Sequence, residues 1–179
     1  MFVFLLLAAL AQTPWEAKLL FTHEPARQGA TPDGAIHVKG RKVRIEQATQ
    51  GGPLVILFDG ARLLLLRPDR KTFTELPASQ APYATVPPPS LDGLRKVGEG
   101  TAAGKACGIW EARSETPFGK VQQRVWVAND AKEYVYLRAL TRTARGASLF
   151  EVVEPRKAAQ PDSLFEVPKG YAKTTSPPR

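Results

Sequence analysis

Most of the chain alternates apolar and polar residues one by one. In WEAKLLFTH, Trp15, Ala17, Leu19 and Phe21 fall on one side, with Glu16, Lys18 and Thr22 on the other. A period of two is the mark of a half-buried β-strand. GAIHVKGRKVRIEQ repeats the pattern as two short strands around Lys39-Gly40. A two-residue turn there would set Ile36 opposite Val43 and His37 opposite Lys42. Ile36, Val38, Val43 and Ile45 then share an apolar face, while His37, Lys39, Lys42 and Arg44 share a solvated one.

LVILFDGARLLLL, from Leu54 to Leu66, breaks the alternation. Asp59-Gly60 is a strong hairpin signal, since both central positions of a type I′ turn need positive φ. The register it predicts pairs Phe58 with Ala61, Ile56 with Leu63 and Leu54 with Leu65. One face then carries Leu54, Ile56, Phe58, Leu63 and Leu65. The other carries Val55, Leu57, Leu64 and Leu66, with Arg62 at its edge. A sheet that is apolar on both faces needs cover on both.

The chain offers few helices for that purpose. KTFTEL reads as another strand, and the stretch from Pro77 to Pro89 is proline-rich, which forbids a regular helix there. A helix of one or two turns from Ser90, a good N-cap, to Val97 is the most the sequence allows. Strands resume in KACGIWEARSE and KVQQRVWVA, with a turn at Thr116–Gly119, and in EYVYLRALTRTA. The pentapeptide SLFEV occurs at 148 and again at 163, and reads as recurring strand chemistry. Eight to eleven strands joined mostly by tight turns predict a mainly β protein, a single curved antiparallel sheet or partial barrel.

Gly 14 and Pro 16 in 179 residues fit this turn-rich reading and a single domain. Lys and Arg outnumber Asp and Glu by 25 to 17, a net charge of +8. The cations are scattered, which excludes a nucleic-acid-binding tail. The nine apolar residues Phe2–Leu10 are too few to span a bilayer but suit a signal-peptide core. Ala9-Leu10-Ala11 supplies the cleavage pattern, although no Lys or Arg precedes the apolar run. The expected organisation is a signal peptide over 1–11, one domain over 12–171 and a flexible tail over 172–179. Cys107 is the single cysteine, so no intramolecular disulfide forms, and it reads as a small buried hydrophobe.

Candidate chemistry is sparse. His23 and His37 lack the neighbours of a metal site, so no metal and no cofactor is expected. There is no Gly-x-Ser-x-Gly elbow. Gly98-x-Gly100-x-x-x-Gly104-Lys105 has the wrong spacing for a phosphate loop and reads as a β-turn. An enzyme is not expected. Trp126 beside Arg124, and Tyr134 and Tyr136 near Arg138, could stack bases in an OB-like barrel. Aromatics at period two more often pack across strands, and export argues against nucleic acid. A concave apolar sheet face suits an apolar ligand, or else it is a packed core.

Several stretches resemble one known group. They are VKGRKVRIE, ILFDGARLLLLRPDRKTFTEL, Gly104-x-x-Cys107-x-x-Trp110 and Leu164-Phe165-x-x-Pro168-x-Gly170-Tyr171. Together they resemble secreted bacterial domains of unknown function that are similar to the outer-membrane lipoprotein carriers (LolA/LolB-like), from about Trp15 to Tyr171. The resemblance implies an unclosed antiparallel barrel wrapped around helices, reduced in this sequence to at most a short plug, a periplasmic location, and an acyl chain or other hydrophobic group on the concave side. The proline-rich middle departs from the helix that such domains carry there.

The expected function is to bind or shield a lipid or lipoprotein acyl chain. Phe21, Leu54, Ile56, Phe58, Leu63 and Leu65 would form the inner wall, and Lys42, Arg44 and Arg62 would contact anionic headgroups. Expected partners are a hydrophobic ligand or acylated protein and an anionic membrane surface, with no nucleic acid. The rival is a structural or interaction domain with a filled core that offers Tyr134 and Tyr136 to a protein.

Overall fold

The computed structural model describes residues 13–24, 34–77, 91, 93–116, 119–130 and 136–175. The strands are β1 (Trp15–Glu24), β2 (Gly34–Lys39), β3 (Lys42–Thr49), β4 (Gly52–Phe58), β5 (Leu63–Arg67), β6 (Thr72–Leu76), β7 (Arg95–Ala102), β8 (Lys105–Thr116), β9 (Gly119–Ala128), β10 (Arg138–Thr143), β11 (Gly146–Lys157) and β12 (Ala172–Lys173). They form one curved sheet, an unclosed barrel, in the order 12-6-5-4-3-2-1-11-10-9-8-7. Two sequential meanders therefore meet where β1 pairs with β11. All pairs are antiparallel except β12 with β6. Among the described residues there is no α-helix, only a 3-10 turn at Asp162–Phe165.

The predicted faces hold, but two hairpin registers differ from expectation. The β2–β3 turn is Gly40-Arg41, so Ile36 pairs with Ile45 and Val38 with Val43. Glycine takes the first central place with φ +57°, as a type II′ turn requires. The β4–β5 loop is four residues, pairing Phe58 with Leu63 and Ile56 with Leu65. The Asp59 side chain explains the longer loop. Its Oδ1 accepts the Ala61 and Arg62 amides at 3.0 and 2.8 Å, and its Oδ2 accepts the Arg62 guanidinium. Both corrections shift partners by an even number, so every side chain keeps its face.

Local chemistry decides three other outcomes. Ala103-Gly104, both at positive φ, form the tight β7–β8 turn that the glycines predict. The short helix expected over Ser90–Val97 is not formed at its end, because Arg95–Val97 open β7 opposite Trp110 and Glu111. In β11, Glu154 at φ +52° sits at a bulge beside Pro155, which absorbs the ladder bond that proline cannot make.

The two SLFEV copies also part company. The first is strand, within β11, whereas the second lies in and just after the 3-10 turn, between Pro161 and Pro168. The expectation of strand at both places is corrected. Prolines at either end deny the second copy a continuous ladder. The proposed signal peptide and most of the proline-rich stretch lie outside the described residues, as do 176–179 of the expected tail. Ala172 and Lys173, also placed in that tail, pair with Thr72 and Phe73.

Candidate apolar-ligand site

The inner face is built by the even spacing of apolar residues through successive strands. Register carries it from Leu19 on β1 through Ile36, Ile45 and Ile56 to Leu65 on β5. In the other direction it runs through Phe150, Ala139 and Val125 to Trp110 on β8. Phe21 meets Phe150 edge-on, with ring centroids 5.5 Å apart. The structure brings five of the six expected wall residues into this cluster. Ile56, Phe58 and Leu63 are 1%, 5% and 2% exposed, and Phe21 and Leu65 are half-buried against them. Leu54 is half-buried and outside the cluster.

The outer face of the same hairpin has its own cover. Val55, Leu57, Leu64 and Leu66 pack with Phe165, and Phe73, Leu164, Val167 and Tyr171 close around them. Apart from Phe73 of β6, the covering residues belong to a C-terminal strap that crosses from the end of β11 to β6. It is anchored where the Ala158 amide donates to Pro14 O, and where the Ala172 amide donates to Lys71 O. Beside it lies a groove of about 610 Å³, bordered by Arg62, Phe73, Phe165 and Tyr171.

The three residues expected to meet headgroups are all engaged within the protein. Lys42 donates to Asp162 Oδ1 at 2.9 Å, Arg44 to Leu164 O at 3.1 Å and to Glu46 at 2.6 Å, and Arg62 to Asp59. Lys39 also holds the strap, through Gln160 O at 3.0 Å. The face expected to be solvated is thus half-buried: His37 lies 3.4 Å from Glu16, and Lys39, Lys42 and Arg44 reach the strap. Sequence reasoning missed Gln160, Asp162 and Phe165 as partners of this face. The signal was present in the prolines flanking the second SLFEV and in the outer apolar face that needed cover.

The charged groups elsewhere on the outer face are also mutual. Glu111 is held down to a pKa of about 2, first by the Arg124 hydrogen bond, with Gln122 and Arg113 adding to it. Arg138 lies over the Trp126 ring at 5.2 Å, so two of the residues weighed for base stacking pack on each other, while Arg124 bonds Glu111. Cys107 is fully buried, and burial pushes its thiol up. Tyr136, expected in the rival reading to face a partner, is 3% exposed, and Tyr134 lies outside the described residues. Among the described residues no group of three or more His, Cys, Asp and Glu is placed to hold a metal ion.

No family model and no curated protein matches the sequence. Solved structures do. An uncharacterised conserved protein from Thermus thermophilus matches with a TM-score of 0.56 at 14% identity, over 92% of this chain and 91% of that one. The Pseudomonas aeruginosa MucA/MucB complex matches with a TM-score of 0.51 at 17% identity, over 86% of this chain. The PNGF-II protein matches with a TM-score of 0.56 at 11% identity, over 92% of this chain. The likeness is one of fold. The chain spans 56% of the second of these chains and 32% of the third. The single curved, unclosed sheet expected from the sequence is the fold found, and these structures share it.

Proposed function

We propose that this is an exported, non-catalytic protein that binds or shields a hydrophobic group, a lipid or a lipoprotein acyl chain, on the inner face of its open sheet. One observation carries the reading. The apolar inner face runs unbroken from β5 to β8, and among the described residues no helix lies on it, whereas the outer face of β4–β5 has its own strap. The expected N-terminal signal and the carrier-like fold support the same reading, although fold alone does not fix function.

Ile56 and Phe58 are closed to solvent, so a ligand enters by displacing neighbouring chain. Uptake should therefore be slow and strongly temperature-dependent. The test is native mass spectrometry of the protein from the periplasm, followed by titration with an apolar dye. Phe58→Arg should abolish dye uptake, and Leu65→Gln, at a half-buried position, should weaken it in a protein that still folds. Arg41→Ala, on an exposed turn, should leave uptake unchanged. A clean apo mass, with no uptake by the wild type, supports a second reading, which the closed wall favours: a filled-core domain that meets a protein partner through its surface.

A further inference from the structure

We propose that one end of the sheet, the rim carrying the β8–β9 and β10–β11 hairpin tips, docks on an anionic phospholipid membrane. The ladders place Thr116/Gly119, Thr143/Gly146 and the Arg67/Thr72 turn at the same end as Glu24 of β1. Lys120, Arg142 and Arg145 stand exposed there, and among the described residues none has a carboxylate within ion-pair distance. Glu115 faces Lys120 in the ladder without pairing to it.

The opposite end behaves differently. Its cations are mostly matched: Lys39 and Lys42 with Asp162, Arg62 with Asp59, and Lys105 with Asp130. Three cations without a carboxylate partner are therefore gathered on two neighbouring tips at the first rim, whereas Lys42, Arg44 and Arg62 are paired and, among the described residues, the exposed Arg41 and Lys157 stand apart at the other end. Between the two hairpins there opens a pocket of about 820 Å³, where Lys120 and Arg142 stand with Ser114, Gln122 and Thr143, beside the Glu115 carboxylate and an Arg113 already bonded to Glu111. Phosphodiester oxygens only accept hydrogen bonds and carry negative charge. Guanidinium forks, an ammonium, hydroxyls and an amide are the donors that match them. By register Lys120 and Arg142, on neighbouring strands, share one face of the sheet, and Arg145 stands exposed in the turn beside them.

The experiment is co-sedimentation of the full chain with phosphatidylglycerol/phosphatidylcholine vesicles and with pure phosphatidylcholine vesicles. The expected result is binding to the anionic vesicles alone, weakening steeply as salt rises. The triple variant K120A/R142A/R145A should bind about a hundredfold more weakly, from the typical contribution of a basic residue at an anionic surface. R41A/K157A, which removes two exposed cations at the other end, should bind nearly as the wild type does. Equal binding to both vesicle types, an unaffected triple variant, or equal loss in the control variant overturns the proposal. So does binding of inorganic phosphate, seen by NMR, without vesicle binding. The proposal does not depend on an apolar cargo: dye uptake by the triple variant reads that property separately.

Discussion

Glu111 shows how strongly a single side chain can be committed. It is buried in its strand, opposite Arg124 in the ladder and beside Arg113, and its carboxyl titrates near 2 instead of at the ordinary 4.5. A depressed carboxyl stabilises the fold above its unfolded value and loses that contribution as pH falls. Acid unfolding of the wild type should therefore steepen between about 4.5 and 2. Glu111→Gln should lower stability at neutral pH and flatten that limb, as read by denaturant titrations across the range. An unchanged acid limb would mean that the Arg124 bond is not made in solution. Asp59 works at the same scale by fixing loop length. Asp-Gly is legible in sequence as a hairpin, but the capping of two amides by one carboxylate was not, so the register came out two residues off while the faces were right.

At the scale of elements, strands were the legible part, because alternation reports burial directly and survives an even shift of register. The strap was not legible. SLFEV has the same five side chains in β11 and in the 3-10 turn, so its local preference is the same in both places, and only the flanking prolines and the open apolar face of β4–β5 separate them. Both phenylalanines are buried, Phe150 on the inner face and Phe165 on the outer. Phe165→Ala should destabilise the protein by about 3–5 kcal/mol, as deletion of a buried aromatic does. Hydrogen exchange should then rise first at the Ala172 and Thr174 amides, which tie the strap to β6. Retained protection there would show that the strap is held by its polar anchors alone. The two anchors on Asp162 are acid-labile. Hydrogen bonds from Lys42 and then Lys39 lower the Asp162 carboxyl, so their contribution is present above the ordinary aspartate value and fades as pH falls below it.

The whole molecule consists of two meanders with one seam. The chain leaves β6 near one margin of the sheet and re-enters as β7 at the other, so residues 77–94 connect opposite edges while β1 and β11 join the halves in the middle. That ladder should suffice to hold the halves together. A protease site placed in the proline-rich stretch should, after cutting, give two fragments that co-elute in gel filtration and separate only in denaturant. Separation on cutting alone would assign the cohesion to the connection.

The repeated pentapeptide has a further consequence for that seam. β1 recognises Ser148–Val152 by register, and each molecule carries a second copy of the same five residues fifteen positions on. At high concentration, the second copy of one molecule could compete for β1 of another. The residue after the first copy is Val153, which continues the ladder opposite Lys18, whereas the residue after the second is Pro168, which lacks the N–H to continue it. Pro168 would then act as a gatekeeper against intermolecular strand exchange. Pro168→Val should raise the fraction of domain-swapped dimer on refolding, seen by light scattering, with little change in the stability of the monomer.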